Sequence, residues 1–135
     1  MDTKQTNLRQ TITQLYRDYE KRDLDSILAA LPNDFCFEWA SDPSTARYAG
    51  ICHGKHELVA RLQEIGENFE FHSYRATTIL VDGDHAAAQL ELELTSAKTR
   101  QRFPTRIAHF WSFKDGIPVH LVEYGDTAFI ANQSA

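Results

Sequence analysis

From Phe69 to Ala131 the chain is written almost wholly in strand-like alternation, in runs at Phe69 to Leu80, His85 to Ala97, Phe103 to Phe113 and Pro118 to Ala131. Successive strand residues point to opposite faces, so each run buries one side only and must pair with its neighbours to do so. Asp82-Gly83 and Asp115-Gly116 supply tight hairpin turns, and the polar Thr95 to Gln101 stretch reads as a longer connection. Runs joined in this way make an antiparallel meander. Such a sheet has an apolar face that something must cover.

The first half of the chain provides the cover. Leu8, Ile12, Leu15, Tyr16 and Tyr19 recur at helical spacing and predict an amphipathic helix from about Thr3 to Lys21. Asp23 is placed to cap a short second helix carrying Leu24, Ile27, Leu28 and Leu31, which Pro32-Asn33 ends. Asp34 to Ala40 alternates like a strand, with Phe35, Phe37 and Trp39 on one face and Cys36 and Glu38 on the other. Ser41 to Gly50 reads as a loop. A third helix follows from about Lys55 to Ile65, with Leu58, Val59, Leu62 and Ile65 inward and Gly66 as its C-terminal cap. Helices first and a meander afterwards define an α+β fold in which a curved antiparallel sheet wraps the N-terminal helices. Its 135 residues make one domain, 1–135, large enough for a core without disulfide or metal staples.

Several function classes drop out. A net charge of −5 argues against a nucleic-acid partner, and the one basic cluster, Lys98 to Arg102 with Arg106 beyond, reads as a solvated loop. No apolar run approaches the roughly 18 residues that span a bilayer, and the polar start lacks a signal peptide's hydrophobic region, so no membrane partner and a cytoplasmic location are expected. Cys36 and Cys52 form no CxxC pair and read as reduced packing residues. His53, His56 and Glu57 lie close in sequence, but no third well-placed metal ligand accompanies the two histidines, so no metal is expected. No dinucleotide, phosphate-loop or nucleophile-elbow motif appears, and no cofactor is expected.

The chemistry concentrates in the hairpin RIAHFWSFKDGIPVHLVEYGD, Arg106 to Asp126, which sets His109 and Glu123 among bulky apolar residues. Burying either group unpaired costs several kcal/mol, so they must be hydrogen-bonded or face a cavity. Register decides whether they share a face. A three-residue loop, Lys114-Asp115-Gly116, pairs Phe113 with Ile117, His109 with Leu121 and Ile107 with Glu123, leaving His109 and Glu123 diagonal neighbours about 7–8 Å apart at the backbone. A two-residue Asp115-Gly116 turn pairs Lys114 with Ile117, sets His109 opposite Val122 and sends Glu123 to the other face. The first is favoured. It gathers Ile107, Trp111, Phe113, Val119 and Leu121 around the polar pair and leaves Arg106, Ala108, Phe110, Ser112, His120, Val122 and Tyr124 outside.

The order of elements, the DLDSILAALPNDFCFEW stretch after the first helix and the terminal HFWSFKDGIPVHLVEYGD resemble the nuclear transport factor 2-like superfamily, from about Leu8 to Phe129. The nearest branches are the SnoaL-like polyketide cyclases and the ketosteroid isomerases. The resemblance implies a cone-shaped sheet closed by helices, an apolar interior pocket and a homodimer. It also implies that the cyclase acid/base histidine corresponds to His109 and the cyclase base to Glu123, a glutamate reaching one methylene further than the family's aspartate. The isomerase pattern is not kept: its base position falls on Trp39, its helix-one tyrosine on Gln14 and its late-strand aspartate on His109.

Two readings follow. In the first, the chain is a cofactor-independent enzyme of SnoaL-like type that isomerises, cyclises or dehydrates a small apolar cyclic carbonyl compound. Glu123 would take a proton beside the carbonyl and His109 would serve the enolate oxygen. In the second, the cone is a ligand-binding or assembly module without chemistry. Either way Tyr16, Tyr19, Phe37, Trp39, Trp111 and Leu121 are expected to line the ligand pocket, His53 to rim it, and Tyr124 or Asp126 to take the place of Glu123 if the last strand bulges near Gly125. The outer face, with Ala108, Phe110, Val122 and Tyr124, predicts self-association.

Overall fold

The structure, a computed structural model, describes residues 3–46 and 48–133. Helices α1 (Thr3–Glu20) and α2 (Leu24–Ala30) lead into strands β1 (Cys36–Trp39) and β2 (Gly50–His53) and helix α3 (Gly54–Asn68). Strands β3 (Phe69–Asp82), β4 (His85–Ser96), β5 (Arg102–Lys114) and β6 (Ile117–Gly125) follow, and helix α4 (Thr127–Gln133) ends the described chain. One curved six-stranded sheet runs in the order β2-β1-β6-β5-β4-β3. Helix α1 lies on β3, and α3 packs against β1, β2 and β3, so the concave face is closed by the amphipathic stripes the sequence predicts. Leu8, Ile12, Cys52 and Leu90 are fully buried at the contact. No helix among the described residues is long and apolar enough to cross a membrane.

The α+β architecture is the expected one, with five local corrections. The sheet is mixed, because β1 pairs with β6 in parallel while the other pairings are antiparallel. Parallel neighbours need a long crossover, and the whole stretch from β2 to β5 supplies it. Strand β2 lies where only a loop end was read, since four residues are too few for alternation to register. Helix α3 runs through Gly66, whose missing side chain admits Arg22: a Cβ there would stand 3.0 Å from Arg22 Nη2. The first hairpin turns on Gly83-Asp84 rather than Asp82-Gly83, because Gly83 takes the positive φ of 59° that the first central position of a type II′ turn requires. The last strand stops at Gly125 instead of Ala131. There the Asp126 carboxylate accepts the Phe129 amide at 3.1 Å and starts α4, which Gln133 anchors by accepting from the Ser96 and Thr99 hydroxyls and donating to Gln101.

The decisive hairpin adopts neither expected register. Asp115 and Gly116 both have positive φ, at 50° and 79°, the signature of a two-residue type I′ turn, and Lys114 accordingly pairs with Ile117. A bulge between Ser112 and Phe113 then shifts the pairing by one residue, so His109 stands directly opposite Glu123, Trp111 opposite Leu121 and Ile107 opposite Gly125. The bulge restores the facing that a plain two-residue turn would have lost.

Candidate functional site

Under the sheet lies a cavity of about 140 Å³, walled almost entirely by apolar and aromatic side chains. Each element delivers its share by its own period. Helix α1 contributes Leu15, Tyr16 and Tyr19; β1 contributes Phe37 and Trp39; β5 contributes Ile107, His109 and Trp111; and β6 contributes Leu121 and Glu123. Eight of the residues singled out from the sequence thus meet around one space: Tyr16, Tyr19, Phe37, Trp39, His109, Trp111, Leu121 and Glu123. Three do not. His53 is exposed at the start of α3, where its backbone N–H donates to the Glu57 carboxylate at 3.1 Å. Asp126 is exposed and caps α4, because the strand ends at Gly125 before a bulge could turn Asp126 inward. Tyr124 stays exposed on the outer face. Among the described residues no group of three or more histidine, cysteine or acidic side chains is arranged to hold a metal ion.

The polar residues form a directed chain. The Trp111 indole N–H donates to the Tyr16 hydroxyl at 2.8 Å, Tyr16 Oη lies 2.9 Å from His109 Nδ1, and His109 Nε2 lies 2.8 Å from Glu123 Oε1. The Glu123 carboxylate only accepts, so His109 Nε2–H donates to it; a neutral ring then takes the Tyr16 proton at Nδ1, while the Tyr16 oxygen accepts from the indole. That makes Nδ1 an acceptor, and the imidazole proton sits on Nε2, donated to Glu123. Both ring nitrogens of His109 are therefore occupied inside the protein, and its side chain is only 3% exposed. Glu123, at 22%, opens to the space, and its second oxygen accepts no hydrogen bond from a described residue. Burial pushes the Tyr16 phenol above its ordinary range, and the Trp111 hydrogen bond offsets only part of this; Tyr19 and Tyr74 are raised by the same desolvation, with the Glu123 charge adding to all three. The cavity is thus lined by phenols that keep their protons.

Tyr74 and Tyr48 escaped the sequence reading. Strict alternation from Phe69 would turn Ser73 inward and Tyr74 outward, but β3 shifts register between Phe71 and Ser73 and again between Ala76 and Thr78, so Phe69 and Phe71 are followed inward by Tyr74 and Ala76. Tyr48 lies in the loop before β2 and stacks on Trp39 with ring centroids 5.3 Å apart. The only advance signal was an aromatic in each of two polar contexts.

The sequence profile of the SnoaL-like domain matches residues 12–124. No curated protein matches the chain. Among solved structures, a nuclear transport factor 2-like protein of unknown function from Burkholderia pseudomallei superposes with a TM-score of 0.87 at 22% identity, covering 96% of this chain and 98% of that one. TerC co-crystallised with polyporic acid gives 0.85 at 16% identity over 94% and 97%. A protein from Xanthomonas campestris pv. campestris, described as a candidate polyketide cyclase, gives 0.79 at 15% identity over 98% and 100%. At such identities these likenesses concern the fold.

Proposed function

The chain belongs to the SnoaL-like domain family, and on that premise we propose that its cavity binds a small apolar cyclic carbonyl compound and moves a proton on it without a cofactor. The observation that carries this reading is Glu123: a carboxylate at the wall of an apolar cavity, held through one oxygen by His109 and with the other free toward the space. The free oxygen takes a hydrogen from the carbon beside the carbonyl; the C–H electron pair moves into the enolate, and the proton returns at the same or a neighbouring position. A positioned general base of this kind contributes about 10²–10⁴-fold. His109 is a positioning residue here rather than the group that meets the enolate oxygen, since neither ring nitrogen is free to reach a ligand. The isomerase arrangement is not supported: Trp39 occupies the base position, and Gln14 spends its amide on Asp18 at 2.9 Å.

The test needs no known substrate. A panel of cyclic ketones is incubated with the protein in deuterium oxide, and exchange beside the carbonyl is followed by NMR. The wild type should exchange at least one of them well above background and Glu123→Gln should not; equal rates in the two proteins would end the proposal.

The closed relay itself favours the second reading, a ligand-binding module without turnover, because every atom of Trp111, Tyr16 and His109 that can hydrogen-bond is already used. Binding without exchange would select it. The outer face supports self-association: Phe110 and Tyr124 are 52% and 49% exposed and pack edge to face at 5.7 Å beside Ala108 and Val122, an apolar patch suited to a second copy of the chain. Two free thiols, Cys36 and Cys52, fit a reducing, cytoplasmic setting.

A further inference from the structure

Three features of the cavity narrow what it can hold. The first is size: 140 Å³ is close to the roughly 150 Å³ of an apolar protein cavity that takes up benzene, so the walled space matches one six-membered ring. The second is charge. Among the described residues no lysine or arginine lines the space and Glu123 is the one carboxylate, so a ligand anion would meet a like charge at the wall. Arg22 is not part of this lining: its guanidinium lies over the Tyr19 and Phe71 rings, at 4.6 and 4.8 Å from their centroids, with Nη1 buried and without a hydrogen-bond partner among the described residues.

The third is an unused donor. Tyr74 lines the cavity with its ring 4.7 Å from Tyr19 and 6.0 Å from Tyr16, and its hydroxyl makes no hydrogen bond to any described residue; only its backbone N–H is engaged, donating to Glu20 at 3.2 Å. A phenol in an apolar space normally finds a partner. The hydroxyls of Tyr19 and Thr105 also line the cavity, but Tyr74 is the phenol whose ring packs on the relay, against Tyr16 at 6.0 Å, so with Glu123 it sets a donor and an acceptor on one stretch of the wall. A ligand that satisfies both presents a hydrogen-bond acceptor to the first and a hydrogen to the second.

We propose that the cavity is built for an uncharged, single-ring compound whose carbonyl oxygen accepts from Tyr74 while its neighbouring carbon faces Glu123. This rests on the reading of the cavity as a ligand site, and extends it to size, charge and the group that holds the oxygen. The burial that keeps the Tyr74 phenol protonated also keeps it a donor.

The experiment compares two probes of one shape, cyclohexanone and methylenecyclohexane, with cyclohexanecarboxylate as the anion, by ligand-observed NMR titration of the full chain. Tyr74→Phe should weaken cyclohexanone about 5-fold, the worth of one hydrogen bond, and leave methylenecyclohexane unchanged; the carboxylate should not bind where cyclohexanone saturates. Methylenecyclohexane also reports that the variant's cavity is intact. Equal responses of both probes to Tyr74→Phe, or tight carboxylate binding, would overturn this inference while leaving the ligand site standing. Failure of all probes to bind the wild type would overturn both.

Discussion

Replacing Tyr16 by phenylalanine removes one oxygen and keeps the ring, so any loss of stability comes from the relay. That oxygen serves two buried partners at once, accepting from Trp111 Nε1–H and donating to His109 Nδ1, and Trp111 and His109 are only 5% and 2% exposed. Neither group reaches another described partner when the hydroxyl goes. A buried polar group left unpaired costs about 1–3 kcal/mol, so two of them should lower stability by roughly 2–6 kcal/mol. The assay is urea denaturation at neutral pH, read as a shift in midpoint at unchanged slope. A cycle with Trp111→Phe sharpens it: with Tyr16 already gone the indole N–H has no partner to lose, so the second substitution should cost about 1 kcal/mol less than it does alone. A Tyr16→Phe loss below about 0.5 kcal/mol, or losses that simply add, would refute the hydrogen-bonded chain through the Tyr16 hydroxyl.

Two further outcomes follow from the same contacts. Tyr16, Tyr19 and Tyr74 have folded pKa values raised by burial, so the unfolded chain ionises first, near pH 10, and folding stability is intact below that pH and falls above it. Each tyrosine should steepen the fall by about 1.4 kcal/mol per pH unit, and in a phenolate absorbance titration these three of the five tyrosines should stay silent until the protein unfolds; smooth ionisation of all five in the native state would contradict the burial. On the outer face, Phe110→Asp should convert a dimer at micromolar concentration into a monomer of unchanged circular dichroism in sedimentation velocity, and a wild type that sediments as a monomer would dismiss the apolar patch as an interface.

The parts of the fold that were legible early are those whose signal is periodic and long. The stripe Leu8, Ile12, Leu15, Tyr16 and Tyr19 predicts α1 to within a residue at its end, and Phe35, Phe37 and Trp39 turn inward as their alternation requires. The cap at Asp23 is likewise present, its carboxylate accepting the Ser26 amide at 3.2 Å. Short or interrupted elements were not legible: β2 has four residues, and α4 begins where Asp126 happens to cap and Gln133 happens to find buried partners on the β4–β5 connection.

The site divides along the same line. Residue types and alternation by themselves put His109, Trp111 and Glu123 on one hairpin and required that the polar pair be satisfied, since no sequence can bury an imidazole and a carboxylate free of partners. Which partners they take was decided by contacts across the chain. Tyr16 lies 93 residues from His109 and reaches it only because α1 lies under the sheet. Three bulges, one in β5–β6 and two in β3–β4, determine that Glu123 faces His109 squarely and that Tyr74 rather than Ser73 enters the cavity. A bulge changes facing by one residue at little cost in backbone bonding, and which side it favours depends on what the far wall offers to bury. That wall exists only once the chain has folded.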